Sequence, residues 1–275
     1  MPTPVSFSTR RMVGLWLILC LAVAILPCQA QIGFQVSPAK LYVNHSTTSE
    51  QTLRLHLNNT MDTRLVLQAT CADWRRDSMG TKAYYPAGSL PNSCCSLVRV
   101  TPSVIELAPH EERDILVTVQ ADPRSGSAVV RNGMILLTQA NEQETARAKG
   151  ASQFIIKVQI GVHLYVLPEV SAQPDIAITG MDVAKAGDQY QVKVQVENKG
   201  GTLLESQLRL EYLNLDSMQE LKMEPMPVNT MPKDQFKVAA MVPASLAKGK
   251  YLIVAILDSG PGQTLKVAEL EAVLK

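Results

Sequence analysis

An apolar residue occupies every second position from Phe154 to Val166, within the segment SQFIIKVQIGVHLYVLP (152–168). Side chains of a β-strand alternate between two faces, so this period of two predicts a strand with one apolar face. Strands average about 5–6 residues, whereas this one could span about 50 Å at roughly 3.3 Å per residue. Its apolar face is therefore longer than the core of one small domain needs.

Shorter alternating runs, separated by turn residues, fill most of the remaining chain. Strands spaced in this way are typical of β-sandwiches, and helix signals are nearly absent. The segment NEQETARAK (141–149) fits either a polar helical turn or a loop. The predicted strands are 34–43, 51–57, 64–74, 97–107, 114–120, 129–138, 152–167, 176–183, 189–197, 204–214, 221–226, 235–241, 251–257 and 264–274.

Two pairs of segments repeat in the same order along the chain. TLRLHLNNTMDTRLVLQ (52–68) is similar to QVKVQVENKGGTLLESQLRL (191–210), and LAPHEERDILVTV (107–119) is similar to TMPKDQFKVAAMV (230–242). Order-preserving similarity predicts two copies of one module. We expect an all-β fold of two β-sandwich domains, residues 31–168 and 169–275.

The first thirty residues have the pattern of a secretory signal peptide. Arg10 and Arg11 precede an uncharged apolar run (12–26), and small residues end at Ala30. A membrane anchor is the alternative, but the run is shorter than the roughly 20 residues of a spanning helix. Cleavage after Ala30 would leave 24 basic and 25 acidic residues, a net charge of −1. Without a basic cluster, nothing indicates nucleic-acid binding.

Three cysteines follow the predicted cleavage site, namely Cys71, Cys94 and Cys95. Disulfides form in exported proteins, and a bridge between neighbouring cysteines is strained. The pattern predicts a disulfide of Cys71 with either Cys94 or Cys95. Three reduced, packed cysteines are the alternative.

No sequence motif of an enzyme or a cofactor site is present. The four histidines, His45, His56, His110 and His163, lack the spacing of metal ligands. We therefore expect no metal, no cofactor, no catalytic residues and no small-molecule substrate.

Residues 31–170 resemble the periplasmic pilus-assembly chaperones, the PapD-like proteins. Three segments carry the resemblance: GFQVSPAKLYVN (33–44), LVRVTPSVIELAPHEERDILVTV (97–119), and the long alternating strand that ends at Pro168. In the second segment His110 stands where the family has glycine. The resemblance implies two immunoglobulin-like domains that meet in an L, without cofactor or ATP.

The resemblance also implies a role for the long strand. Such chaperones add their strand to a pilin subunit that lacks its own, in the manner of β-strand addition. The corresponding subunit-binding residues here are Phe154, Ile156, Val158 and Ile160. Val162 and Leu164 would belong to the chaperone's own core.

In the family, a basic pair in the cleft between the domains holds the subunit's terminal carboxylate. The matching positions here are Lys40 and His163, and both depart from the family's arginine and lysine. With the reference pKa of about 6.5, His163 would gain charge near pH 6. Carboxylate binding at this pair would then strengthen on acidification.

The sequence thus predicts a periplasmic chaperone that stabilises fimbrial or pilin-type subunits by strand donation and delivers them to an outer-membrane usher. Self-association would hide the strand when no subunit is bound. The alternative is a two-domain structural or adhesive protein of the envelope, with the strand wholly internal.

Overall fold

The computed structural model describes residues 33–122, 129–148, 155–169 and 172–274. The predicted signal peptide and the predicted subunit-binding residue Phe154 lie outside these ranges. One helix, α1 (Glu142–Ala148), and one turn of 3-10 helix (Cys95–Leu97) accompany eighteen strands in the described residues. The strands are β1 (Phe34–Ser37), β2 (Lys40–Asn44), β3 (Gln51–Asn59), β4 (Leu65–Arg76), β5 (Lys82–Pro86), β6 (Val98–Thr101), β7 (Val104–Leu107), β8 (Glu112–Val119), β9 (Arg131–Gln139), β10 (Gln159–Leu167), β11 (Ile176–Ala186), β12 (Gln189–Asn198), β13 (Leu204–Asn214), β14 (Glu220–Lys222), β15 (Met226–Thr230), β16 (Gln235–Met241), β17 (Gly249–Asp258) and β18 (Lys266–Leu274).

Strands β1 to β10 form the first β-sandwich. One sheet has the order β1-β3-β8-β6, and the other has the order β2-β10-β9-β4-β5 with β7 also paired to β4. Alternate residues of both sheets point inward and form one core, because a strand buries every second side chain. Leu55 and Val117 come from the first sheet, and Leu67, Ile135 and Leu164 come from the second.

Strands β11 to β18 form the second β-sandwich. Its sheets have the orders β11-β12-β16 and β14-β13-β17-β18, with β15 also paired to β13. Val194 and Phe236 of the smaller sheet pack against Leu210, Tyr212 and Ile253 of the larger one. The all-β class with two sandwich domains, expected from the alternating pattern, is confirmed.

Two predicted strands are each divided by a proline. The predicted strand 34–43 is β1 and β2, which flank Pro38 and belong to different sheets. The predicted strand 97–107 is β6 and β7, which flank Pro102. Proline has no N–H to donate to a sheet, so continuous pairing stops there. The alternating pattern alone did not show these divisions.

Three further differences concern the first sandwich. The sequence pattern missed β5 (Lys82–Pro86), whose residues do not alternate clearly. The long strand begins at Gln159, so residues 155–158 are outside it despite their alternation. Of the two interpretations of NEQETARAK, helix is the observed one, over Glu142–Ala148.

The internal repeat is visible as a buried asparagine at the same place in each sandwich. Asn59 and Asn198 are both inaccessible to solvent. In each case the side-chain amide donates a hydrogen bond to the carbonyl four residues on, that of Thr63 or Thr202. The side-chain oxygen accepts one from the backbone N–H two residues on. A buried amide needs such partners, and the shared pattern is the one that two copies of one module would have.

A left-handed turn also repeats. His110 has φ of 57° and Lys233 has φ of 67°, values uncommon for residues other than glycine. Each residue follows a proline and precedes an acidic residue, Glu111 or Asp234, whose side chain accepts a hydrogen bond from the backbone N–H three residues earlier. His110 therefore keeps a left-handed conformation of the kind that glycine adopts easily.

The disulfide joins Cys71 on β4 to Cys95 in the 3-10 turn, and Cys94 is a buried free thiol. Burial raises the pKa of Cys94 to about 12. Because the reactive form is the thiolate, Cys94 is protected at neutral pH. The bridge constrains the 72–94 segment, which carries β5.

Gly133 on β9 is required by this cluster of sulfur atoms. A Cβ atom there would lie 3.0 Å from Cys94 Sγ, 3.2 Å from Cys71 Sγ and 3.3 Å from Cys95 Sγ. We expect Gly133→Ala to lower the free energy of unfolding by about 1–3 kcal/mol, because the core must shift to admit a methyl group. Urea denaturation measures the effect. In the control Gly180→Ala, the nearest atom is an ordinary 3.7 Å away. Equal effects at both positions would contradict the steric explanation.

Candidate functional site

Strand β10 has a neighbour on both sides over only part of its length. It pairs with β9 through residues 159–166 and with β2 through residues 163–167. Over residues 159–162 the described sheet therefore has an open edge. Unpaired N–H and C=O groups at such an edge can accept another strand. The open edge adjoins residues 155–158, which are outside any strand.

The apolar face of this segment becomes steadily more buried along the chain. Ile156 is 77% exposed, whereas Val158 and Ile160 are partly buried against the core, and Val162 is fully buried. From Val162 onward, the alternate residues belong to the core of the first sandwich. The face thus divides into an exposed part upstream of Val162 and a core part downstream.

The opposite face of β10 is turned toward the second sandwich. Tyr165 packs with Trp74 of β4 and with Met231, which follows β15. His163 lies in the same layer, with its ring 4.8 Å from the Trp74 ring in an edge-to-face contact. One strand therefore serves the core with one face and the cleft between the sandwiches with the other.

Lys40 and His163, the predicted basic pair, are directly adjacent. They are register partners where β2 pairs with β10. The structure thus brings the two residues together, although 123 positions separate them in the sequence. Their side chains have different partners, so they do not form one cationic site.

Lys40 is already paired with a carboxylate of the second sandwich. Its Nζ lies 2.5 Å from Oε1 of Glu205 on β13, and the Tyr42 hydroxyl donates a hydrogen bond of 2.6 Å to the same oxygen. Burial opposes ionisation of Glu205, but these hydrogen bonds and the charge of Lys40 outweigh it and lower the pKa. Glu205 therefore remains an anion in contact with Lys40.

His163 is a neutral hydrogen-bonding residue. Burial lowers its pKa to about 4, and the charges of Lys82, Arg76 and Lys40 add to the effect. The Lys82 ammonium donates to His163 Nε2 at 2.7 Å, and His163 Nδ1 lies 3.3 Å from the Tyr165 hydroxyl. The expectation that His163 becomes charged near pH 6 is therefore wrong, because surrounding cations and burial both disfavour the imidazolium ion.

Lys82 provides the positive charge beside His163, where the sequence had indicated only the histidine. It lies on β5, half-buried, and its pKa is lowered by burial and by Arg76 and Lys40. Its ammonium also lies 5.5 Å from the centre of the Trp74 ring. In the described part of the chain, no carboxylate lies within ion-pair distance of Lys82. Sequence reasoning missed this residue because it missed β5.

A second ion pair crosses the cleft beside Trp74. Arg76 of β4 lies 3.5 Å from a carboxylate oxygen of Asp234, and both side chains are largely buried. The guanidinium group also lies over the rings of Trp74 and Phe236. Removing one partner of such a partly desolvated pair is costly, because the other charge is left unpaired.

Among the described residues, no three His, Cys, Asp or Glu side chains form a group that could hold a metal ion. The helices of this part of the chain also lack the length and apolar character of a membrane span.

Neither a family model nor a curated protein matches this chain. Solved structures do. The CsuC–CsuE chaperone–tip adhesion subunit complex of the archaic chaperone-usher Csu pili of Acinetobacter baumannii is 12% identical, with coverage of 86% of this chain and 97% of the other and a TM-score of 0.47. The class 5 fimbriae chaperone CfaA is 10% identical, with coverage of 88% of this chain and 100% of the other and a TM-score of 0.45.

The chaperone SafB, solved in complex with the pilin SafA of Salmonella enterica, is a third such structure. It is 12% identical, with coverage of 88% of this chain and 99% of the other and a TM-score of 0.43. These proteins are chaperones of fimbriae or pilins.

Replacing His163 should change how stability depends on pH. Between pH 6.5 and about 4 the unfolded chain binds a proton at His163 and the folded chain does not. The stability that the neutral ring contributes is therefore complete above pH 6.5 and is lost as the pH falls toward 4. After allowance for solvent screening, the loss is on the order of 1–2 kcal/mol. In His163→Gln this part of the loss should disappear.

Urea denaturation at about pH 7.5 and pH 4.5 provides the measurement. The difference in unfolding free energy between the two conditions should be smaller in His163→Gln than in the unmodified protein. Equal differences in both proteins would show that His163 is protonated normally in the folded state.

Proposed function

We propose that this protein is a periplasmic chaperone that binds fimbrial or pilin-type subunits by adding its own strand to their incomplete sheet. The observation that carries this proposal is the segment around the start of β10. An open backbone edge at residues 159–162 coincides with an apolar face that is exposed at Ile156 and partly exposed at Val158 and Ile160. A subunit that pairs with this edge would satisfy the free backbone groups and cover the apolar side chains.

The division of the segment supports donation of its upstream part only. Val162 and Leu164 are fully buried in the first sandwich, so their transfer to a partner would open the chaperone's own core. Ile156 has no such role. The donated residues are therefore Phe154, Ile156, Val158 and Ile160, of which Phe154 lies outside the described residues.

The cleft offers a carboxylate site that differs from the predicted pair. In the proposed complex, Lys82 binds the subunit's terminal carboxylate, and neutral His163 positions the Lys82 ammonium through the 2.7 Å hydrogen bond. Lys40 contributes only where the incoming carboxylate shares or displaces Glu205. A charge-assisted hydrogen bond of this kind is stronger than a neutral one.

The remaining parts of the proposal follow from the sequence. Residues 1–30 are an export signal, and the compartment that they imply is the periplasm, where a disulfide such as Cys71–Cys95 persists. Domains 31–168 and 169–275 would form an L around the cleft, and the bound subunit would pass to an outer-membrane usher. Self-association through the same open edge would cover it in the absence of a subunit.

Ile156→Asp tests strand donation. The substitution places a charge in the covered face of the proposed complex without touching the core, because Ile156 is 77% exposed. Co-expression with a candidate subunit should then yield at least about tenfold less complex, as expected for a buried unpaired charge. Ile155→Asp is the matched control, since Ile155 is 58% exposed and alternation would place it on the opposite face of the donated strand.

The comparison of the two variants decides the outcome. Loss with Ile156→Asp and not with Ile155→Asp supports donation of the alternate face. The double variant Ile156→Asp/Val158→Asp should abolish recovery. If subunit recovery is unchanged in the double variant while circular dichroism shows a folded chaperone, strand donation is wrong.

Lys82→Gln tests the carboxylate site. Binding of a peptide with the subunit's terminal sequence should weaken about tenfold. The same peptide with an amidated C-terminus should bind the variant and the unmodified protein equally well, because it has no terminal carboxylate. Lys199→Gln, an exposed lysine on the second sandwich, is the control. Because His163 stays neutral, binding should be flat between about pH 6 and pH 8. Binding that strengthens near pH 6 would indicate that protonated His163, and not Lys82 alone, binds the carboxylate.

A further inference from the structure

A cavity of about 390 Å³ is lined by residues of both sandwiches, with Trp74 in its wall. Its apolar wall comes from both sandwiches and consists of Trp74, Val129 and Val130 on one side and Met231 and Pro232 on the other. Small-molecule sites typically have volumes of about 300–1,000 Å³ and mainly apolar linings. Sequence reasoning pointed to no small ligand, because these residues are brought together only by the fold.

The side-chain amides and the carboxylate that line this cavity already have partners. The Asn92 amide donates to the side-chain oxygen of Asn132 at 2.5 Å, and the Asn132 amide donates to the Trp74 carbonyl at 3.2 Å. The carboxylate of Asp234 is paired with Arg76 and accepts a hydrogen bond from the Met231 N–H. The lining is therefore mainly apolar, and of its buried side-chain polar atoms the Trp74 Nε1–H has no hydrogen-bond partner in the described part of the chain.

Two cationic residues line the same cavity and are exposed, Arg75 and Lys233. In the described part of the chain, no carboxylate lies within ion-pair distance of either. Arg75 is held by the Tyr85 hydroxyl at 3.0 Å and by its stack on the Tyr85 ring. The backbone of Lys233 adopts the left-handed turn conformation, with φ of 67°. An apolar interior with two unbalanced positive charges at its rim favours a ligand of matching polarity.

We propose that this cavity is a binding site for an amphipathic anion, a molecule with an apolar body and a carboxylate or sulfonate at one end. The body contacts the Trp74 indole and the Val130 and Met231 side chains, and the anionic end pairs with Arg75 and Lys233. Neither Lys82 nor a residue of the open edge of β10 lines this cavity. The proposal therefore stands independently of strand donation.

The position of Trp74 makes binding observable. The chain has two tryptophans, Trp16 within the predicted signal peptide and Trp74 in the cavity wall. Dansyl groups accept excitation from tryptophan, so a dansyl ligand in the cavity should emit when tryptophan is excited. Dansylglycine and dansylamide share the same apolar body, and only dansylglycine carries a carboxylate.

Fluorescence titration of the purified protein with these two probes tests the proposal. Dansylglycine should bind with saturation and about tenfold more tightly than dansylamide, because one charge-assisted contact distinguishes them. In the double variant Arg75→Gln/Lys233→Gln, the two probes should bind with about equal affinity. Both positions are exposed, so the fold should be kept.

Two matched controls separate this cavity from other surfaces. Lys199→Gln should leave the preference unchanged, since Lys199 does not line the cavity. Ile156→Asp should leave dansylglycine affinity unchanged, because it alters only the exposed apolar face near β10. Absence of saturation, equal affinity for the two probes, a preference that survives the double variant, or loss of binding in Ile156→Asp would each overturn the proposal.

Discussion

The partial pairing of β2 with β10 is the constraint on which the proposed function depends. Pairing begins at the register partners Lys40 and His163, so β10 lacks this neighbour upstream. Downstream of that point the alternate residues are core, and upstream they are exposed to an increasing degree, up to Ile156. The same strand can then stabilise its own sandwich and offer an edge to another chain, because the two tasks use different parts of it.

The neutral state of His163 follows from the cations that surround it on this face of the sheet. Lys40, Arg76 and Lys82 all disfavour its protonation, so the ring accepts a hydrogen bond and does not carry charge. Two of these cations have carboxylate partners in the second sandwich, and Lys82 has none in the described part of the chain. The excess positive charge at this face is consistent with an anionic partner group.

The duplicated modules share their turns and buried amides and differ in what surrounds them. Asn59 and Asn198 make equivalent hydrogen bonds, and His110 and Lys233 adopt equivalent left-handed conformations. In the first sandwich His110 meets Asp62 at an exposed corner, whereas Lys233 lines the cavity between the sandwiches. The same local geometry therefore serves a surface turn in one copy and a proposed ligand contact in the other.

The sequence by itself determined the all-β class, the repeat and the apolar face of the long strand, because a period of two is a local property. The sequence pattern left Cys94 and Cys95 as alternative disulfide partners, predicted one strand across Pro38, and predicted that His163 would become charged near pH 6. Tertiary structure decided these points, since they depend on residues distant in sequence. Lys82 reaches His163 from a strand 81 positions away, and that contact, with the burial it brings, sets which side chain carries the charge.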